Sequence, residues 1–392
     1  MSSVGNETHP FSPMPPPPTA LGKYRTLSPH AGVRVSPLTL GAMSVGDQWA
    51  KFGMGAMDKE SSFKLLDAYY KAGGNFIDTS NNYQEESSEK FIGEWLQARG
   101  IRDEMVIATK YTTPYKRIDD SVGIKINYGG NHTKSLHVSV EQSLKKLRTS
   151  YIDILYLHWW DWSSGTVEIM NALHNLVVSG KVLYLGISDT PAWIVADANR
   201  YAIDHGKTPF VIYQGRWNVL SRDFEREIIP MARHLGLALA PWDVLASGKI
   251  RTDAEEEARR TTGEHGRDLW GRGWERNENE RKMASQLEKI AAEVGTKSIQ
   301  AVAIAYVLQK TPYVFPIVGG RKVEHLHANI EALEIALTKE HIKQIEGVVP
   351  FDAGFPHNLF GREDDESLSP LLTIGGHFDR WPLRQAIVPK NE

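Results

Sequence analysis

The fold this sequence predicts is α/β: a (β/α)8 barrel, or TIM barrel, with long loops on the carboxyl-terminal face. Three observations predict it. Short apolar runs alternate eight times with segments whose apolar residues recur every three or four positions. The strand-like runs are apolar throughout, as strands covered on both faces by helices are. The 392 residues exceed the roughly 250 that such a barrel needs, and two of the surplus stretches follow strands, where the loops of the catalytic face arise.

Residues 1–23, with Pro15 to Pro18 in succession, read as an extended Pro-rich tail that packs as neither helix nor sheet. The barrel is assigned to 24–348. Its first strand is placed at 35–43 and its first helix at 62–72, on Phe63, Leu65, Leu66, Ala68 and Tyr69. The second strand ends at 75–77 within Gly74-Asn-Phe-Ile-Asp-Thr-Ser-Asn-Asn-Tyr83, where an apolar run stops and delivers Asp78 and Tyr83. A helix at 86–96 follows, with Ser87 or Ser88 as its N-cap. The third strand is 105–110, followed by a helix at 134–148 carrying Leu136, Val140, Leu144 and Leu147. Strands four to seven are placed at 152–158, 182–189, 210–217 and 237–243, with helices at 166–179, 191–205 and 224–235 between them. Helices at 282–293 and 298–310 precede an eighth strand at 313–320 and its helix at 323–333.

The surplus lies in loops 111–133 and 244–281 and in an extension at 349–392. The second loop, with Asp253 to Glu257 and Trp270-Gly-Arg-Gly-Trp274, reads equally as a solvated segment and as a lid. Phe355, Phe360, Phe378 and Trp381 of the extension wall a substrate pocket or meet another subunit; monomer and homodimer both stay open.

Composition excludes several functions. No cysteine is present, so disulfides, thiolate catalysis and thiolate metal sites are ruled out. A net charge of −3 and a pI near 6.5 give no broad basic field for nucleic acid or an acidic membrane surface. No apolar signal core and no run of about 18 apolar residues occurs, so a cytoplasmic protein is expected. No metal set is expected either: His325 and His327 fall on different faces of their helix.

The strand ends bring chemistry together. Asp78 and Tyr83 follow strand two, Lys110 ends strand three and His158 ends strand four. A tyrosine is a weak acid near pH 7, and a neighbouring ammonium lowers its pKa by stabilising phenolate. Lys110 supplies that ammonium, Asp78 holds it charged, and His158 offers a hydrogen bond to a substrate oxygen. Reduction of a carbonyl needs such a proton donor beside the oxygen while hydride reaches the carbon.

On these residues, with Ala108-Thr-Lys110, Asp153-Ile-Leu-Tyr-Leu-His158, Gly186-Ile-Ser-Asp189, Tyr213-Gln214 and Ile317-Val-Gly-Gly-Arg-Lys322, the sequence resembles the aldo-keto reductase superfamily over about residues 38–334. His158-Trp-Trp-Asp-Trp162 and Ser188-Asp-Thr-Pro-Ala-Trp193 are similar to its fungal branch of aryl-alcohol dehydrogenases and norsolorinic acid reductase-like enzymes. The resemblance implies the tetrad Asp78, Tyr83, Lys110 and His158, with NADP (NADPH) as cofactor. It implies that Ser188, Asp189 and Gln214 hold the nicotinamide carboxamide, although Asp189 stands where most relatives have Asn. Trp242 takes the place of the aromatic residue stacked on the ring. Gly319, Gly320, Arg321, Lys322 and His325 take the phosphate-binding positions, Asn329 the adenine contact, and Lys249 a pyrophosphate contact. Gly319, Gly320 and His325 depart from the Lys-Ser pair and Arg of many relatives.

Trp49, Tyr111 and Trp159 lie just beyond strand ends and suggest a pocket for a planar aromatic substrate. The reading is reduction of aromatic aldehydes or aryl ketones, reversible toward alcohol oxidation, in a setting such as fungal secondary metabolism. The alternative that the superfamily implies is a cofactor-holding regulatory module like the potassium-channel β-subunits.

Overall fold

Side chains that alternate between two faces along short strands set this architecture. The computed structural model describes residues 11–50, 56–263, 273–364, 369–377 and 379–390. A hairpin of β1 (Arg25–Ser28) and β2 (Ala31–Val35) precedes the barrel strands β3 (Thr39–Gly41), β4 (Phe76–Asp78), β5 (Val106–Tyr111), β6 (Ile152–Leu157), β7 (Val182–Ser188), β8 (Phe210–Arg216), β9 (Ala238–Trp242) and β10 (Ile317–Gly319). These eight pair in parallel in the order β10-β3-β4-β5-β6-β7-β8-β9. The Leu239 amide donates to Tyr313 O at 2.9 Å and the Phe315 amide to Leu239 O at 2.8 Å, and these bonds close the barrel. The single strand expected at 313–320 is therefore divided: 313–315 serves β9, and Ile317–Gly319 pairs with β3.

The helices between the strands are α1 (Lys59–Lys71), α2 (Ser87–Arg99), α3 (Thr133–Leu147), α4 (Thr166–Val178), α5 (Ala192–Asp204) and α6 (Phe224–Leu235). Loop 244–281 carries an unforeseen α7 (Asp253–Thr262); α8 (Glu278–Glu293), α9 (Ile299–Lys310), α10 (Val323–Ile330) and α11 (Lys339–Val348) complete the layer. α2 corrects the expected cap. Glu86, in left-handed conformation, is its N-cap without a side-chain bond, while the Ser87 hydroxyl donates to Gln84 O and the Ser88 hydroxyl to Ala42 O.

Two apolar clusters follow from the alternation. Phe76, Val106, Ala108, Ile154, Tyr156, Ile212, Ala238, Ala240 and Phe315 fill the barrel, where Leu27, Ala31 and Val35 of the hairpin join them as a plug. Their neighbours Ile77, Ile107, Tyr111, Leu155, Leu157, Leu185, Ile187, Tyr213 and Leu239 face the helices.

The described part of the extension runs along α6. Arg226 donates to Ala353 O at 2.9 Å, His357 meets Glu227 at 2.7 Å, Arg233 approaches Glu363 at 3.9 Å, and Arg384 donates to the Tyr313 hydroxyl. These contacts pass from the first turn of α6 to its last and end where the eighth strand begins, on the amino-terminal side of the barrel. Phe355, Phe360 and Trp381 of the extension are exposed, whereas Phe378 and 264–272, including Trp270, lie outside the described residues.

Candidate active site

Inward parity puts the predicted residues on one mouth of the barrel. Asp78 follows Phe76 on β4, Lys110 follows Ala108 on β5, and His158 continues the series Ile154 and Tyr156 from β6. Lys110 is fully buried, with Nζ 2.5 Å from Asp78 Oδ1, 2.8 Å from Thr79 O and 3.4 Å from the Tyr83 hydroxyl. Gln214 donates through Nε2 to the other Asp78 oxygen at 2.9 Å. The Tyr83 ring stands edge-on to His158, with centroids 6.0 Å apart, and His158 Nδ1 meets the hydroxyls of Ser80 at 3.3 Å and Thr113 at 3.2 Å. All four expected residues are thus brought together.

Their protonation follows from burial set against charge. For Lys110 burial favours the neutral amine, but the facing Asp78 carboxylate and the Tyr83 oxygen outweigh it and raise the pKa above the ordinary lysine value. Burial, aided by the Lys110 charge, takes His158 well below the usual imidazole range, so it is neutral at pH 7. Tyr83 corrects an expectation. Burial raises its pKa above 10.0, and Lys110 works against that rise without reversing it. The free site therefore holds Tyr83 as the protonated phenol.

The residues placed at cofactor positions occupy two groups. Ser188 ends β7, Gln214 lies on β8 and Trp242 ends β9, all on inward parity. Asp189, at φ 43, takes the Trp242 indole N–H at 3.1 Å and the Ser188 hydroxyl at 3.2 Å. Although the residue as a whole is exposed, loss of water around its carboxyl pushes it up to about 6, against the lowering effect of those two donors. Farther round, Gly319 ends β10, Gly320 and Arg321 follow, and Lys322 is the N-cap of α10, whose backbone amides face outward from that end. Arg321, Lys322 and His325 are exposed and Asn329 is buried within α10. The glycines leave room for close approach: a Cβ on Gly319 would come no nearer than 3.5 Å to Gly41 O. Amide, carboxyl and hydroxyl groups in one group, and exposed cations at a helix start in the other, suit the two ends of a dinucleotide phosphate. Lys249, expected at the pyrophosphate, donates through Nζ to Gly273 O at 2.8 Å and to Glu275 O.

The substrate expectations divide. Tyr111 is excluded from the pocket by parity: with Lys110 inward it must point outward, and it is buried in the helix-facing core with its hydroxyl on Asn131 O at 3.2 Å. Trp159 is 38 % exposed and donates to the Thr113 hydroxyl at 3.0 Å, beside His158. Trp49 stands edge-on to Tyr83 at 6.1 Å between centroids, as His158 does at 6.0 Å. Sequence reasoning missed Ser80 and Thr113 on His158, and also Gln84, Glu85 and Glu86, which bind the loops around Tyr83. No helix among the described residues is long and apolar enough to cross a membrane, and no group of three or more candidate metal ligands occurs among them.

Comparison with known proteins accords with this geometry. Residues 37–350 match the Aldo/keto reductase family. An NADP(+) aryl-alcohol dehydrogenase of Phanerodontia chrysosporium is 60% identical over 97% of this chain and 99% of its own length. A putative aryl-alcohol dehydrogenase of Saccharomyces cerevisiae is 57% identical over 93% of this chain and 97% of its own. Norsolorinic acid reductase B of Dothistroma septosporum is 54% identical over 90% of this chain and 88% of its own.

Proposed function

The chain belongs to the aldo/keto reductase family, and from that premise we propose that it is an NADP-dependent reductase of aromatic aldehydes or aryl ketones, reversible toward the alcohols. The observation that carries the mechanism is the buried Asp78–Lys110 pair directed at the Tyr83 hydroxyl 3.4 Å away. NADPH, held by Ser188, Asp189, Gln214, Trp242, Arg321 and Lys322, would supply the hydride for the carbonyl carbon. Tyr83 then gives its proton to the carbonyl oxygen, and the Lys110 ammonium stabilises the phenolate left behind. Asp78, with its second oxygen held by Gln214, keeps Lys110 protonated at full burial. His158 is neutral, and because Ser80 and Thr113 occupy Nδ1, its Nε2 is the ring atom left for the substrate oxygen.

On this reading Ser188, Asp189 and Gln214 orient the nicotinamide carboxamide, Trp242 stacks on the ring, and Arg321 and Lys322 meet the 2′-phosphate. The aromatic substrate class rests on Trp49 and Trp159 flanking the Tyr83–His158 pair, together with the names borne by the relatives. The test is oxidation of NADPH and of NADH by the purified chain with substituted benzaldehydes and aryl ketones. Preferential consumption of NADPH by these carbonyls supports the reading; cofactor binding without turnover of any of them overturns it.

A further inference from the structure

Three consecutive non-glycine residues, Gln84, Glu85 and Glu86, have positive φ of 51, 49 and 77 immediately after Tyr83. L-residues adopt this region at a cost in steric strain, so such a run persists only where the surroundings hold it. Here each side chain grips a different part of the site. Gln84 is fully buried; its Nε2 donates to Met43 O at 2.8 Å and its Oε1 accepts the Trp49 amide at 2.8 Å, so it fixes the loop after β3. That loop seats closely, since a Cβ on Gly46 would fall 2.6 Å from Gln84 Cβ. Glu85 Oε1 accepts the Trp49 indole N–H at 2.8 Å and an Arg117 guanidinium N–H, joining the loops after β3 and β5. Glu86 meets Lys116 at 2.6 Å and Lys146 at 3.2 Å.

We propose that Glu85 is a positioning residue for substrate specificity: it fixes the Trp49 indole edge-on to Tyr83 and so builds the wall against which a planar aromatic carbonyl lies. The left-handed run explains the geometry. A right-handed turn after Tyr83 would direct these three side chains elsewhere, and a glycine would relieve the strain while losing the grip. Glu85 is well placed for the task because its side chain is 8% exposed and its oxygen is shared between a neutral indole and a guanidinium. The orientation of Trp49 is therefore held by a charge-assisted, shielded contact. This inference rests on the reductase reading above.

The experiment compares kcat and KM for benzaldehyde and for propanal, with NADPH, in the full-length wild type and in Glu85→Ala, Glu85→Gln, Trp49→Phe and the double variant Trp49→Phe/Glu85→Ala. Loss of one positioning hydrogen bond predicts that the benzaldehyde-over-propanal preference in kcat/KM falls about fivefold to tenfold in Glu85→Ala, through KM for benzaldehyde. Glu85→Gln keeps an acceptor for the indole and retains most of the preference. Trp49→Phe keeps a ring but has no N–H, so adding Glu85→Ala to it brings no further loss of preference. An equal loss on both aldehydes, or losses that multiply in the double variant, would overturn the proposal while leaving the reductase reading intact. A wild type that turns over neither aldehyde would sink the reductase reading and this inference with it.

Discussion

Asp189 is the residue whose chemistry departs most from its polar neighbours. Its carboxyl accepts from Ser188 and Trp242 on a residue that is exposed as a whole, and the atoms crowding that carboxyl push it up to about 6 from 3.8, chiefly by stripping water from its charge. For an acid whose folded pKa is raised, the ionised form costs stability. That cost is absent below the unfolded value near 3.8, grows as pH rises, and is complete above about 6. Asp189→Asn should therefore raise the melting temperature of the cofactor-free protein at pH 7.5 more than at pH 4.5, measured by calorimetry. An equal effect at both pH values would show that the carboxyl is not perturbed. The convergence of Asp78, Lys110 and His158 was legible in the sequence because their strand-end positions follow from where the apolar runs stop. Tyr111 was not, since its proximity in sequence to Lys110 concealed that adjacent strand residues face opposite ways.

At the scale of elements, the insertion between β9 and α8 is organised by a buried acid. Glu256 on α7 accepts from Arg276 and Arg281 at 2.5 Å each and from Arg251 at 3.1 Å, while Arg260 lies at 3.4 Å. Burial works against ionisation, but the guanidiniums outweigh it and depress the pKa from 4.5 to about 2. A depressed acid contributes stability that is present above 4.5 and lost as pH falls toward about 2. Glu256→Gln should speed amide hydrogen exchange within α7 at pH 7, and the melting-temperature gap to wild type should narrow as pH falls from 5 to 3. Unchanged exchange in α7 would show that the arginines do not depend on this acid. α7 escaped sequence reading because a charged segment lacks apolar periodicity; its only signal was the capping box Thr252 and Glu255. The hairpin escaped for a related reason, its strands being short and interrupted by Arg25, Thr26 and Arg34.

For the molecule as a whole, that hairpin and the catalytic mouth occupy opposite ends of one barrel. Leu27 is fully buried against the interior cluster, so Leu27→Ala should cost about 2 to 5 kcal/mol in urea unfolding. Activity per folded molecule should hold, because the plug touches none of the tetrad; a fall in kcat at full folding would mean the two ends are coupled. Closure of eight strands was legible from their count, and it alone explains why residues as far apart in sequence as Asp78 and Gln214 share a hydrogen bond. The path of the described residues of the extension along α6 was not legible, because it depends on Arg226, Glu227 and Arg233, outward-facing residues that no periodicity marks.

On the proposed reading, Tyr83 at this mouth protonates a carbonyl oxygen whose carbon would receive hydride from NADPH. The most direct test is the NADPH-dependent reduction of an aromatic aldehyde by wild type and by Tyr83→Phe, with cofactor affinity measured alongside. The account predicts that kcat falls by about two orders of magnitude or more in Tyr83→Phe while NADPH still binds, the range for losing a general acid. Equal turnover by both proteins would contradict it.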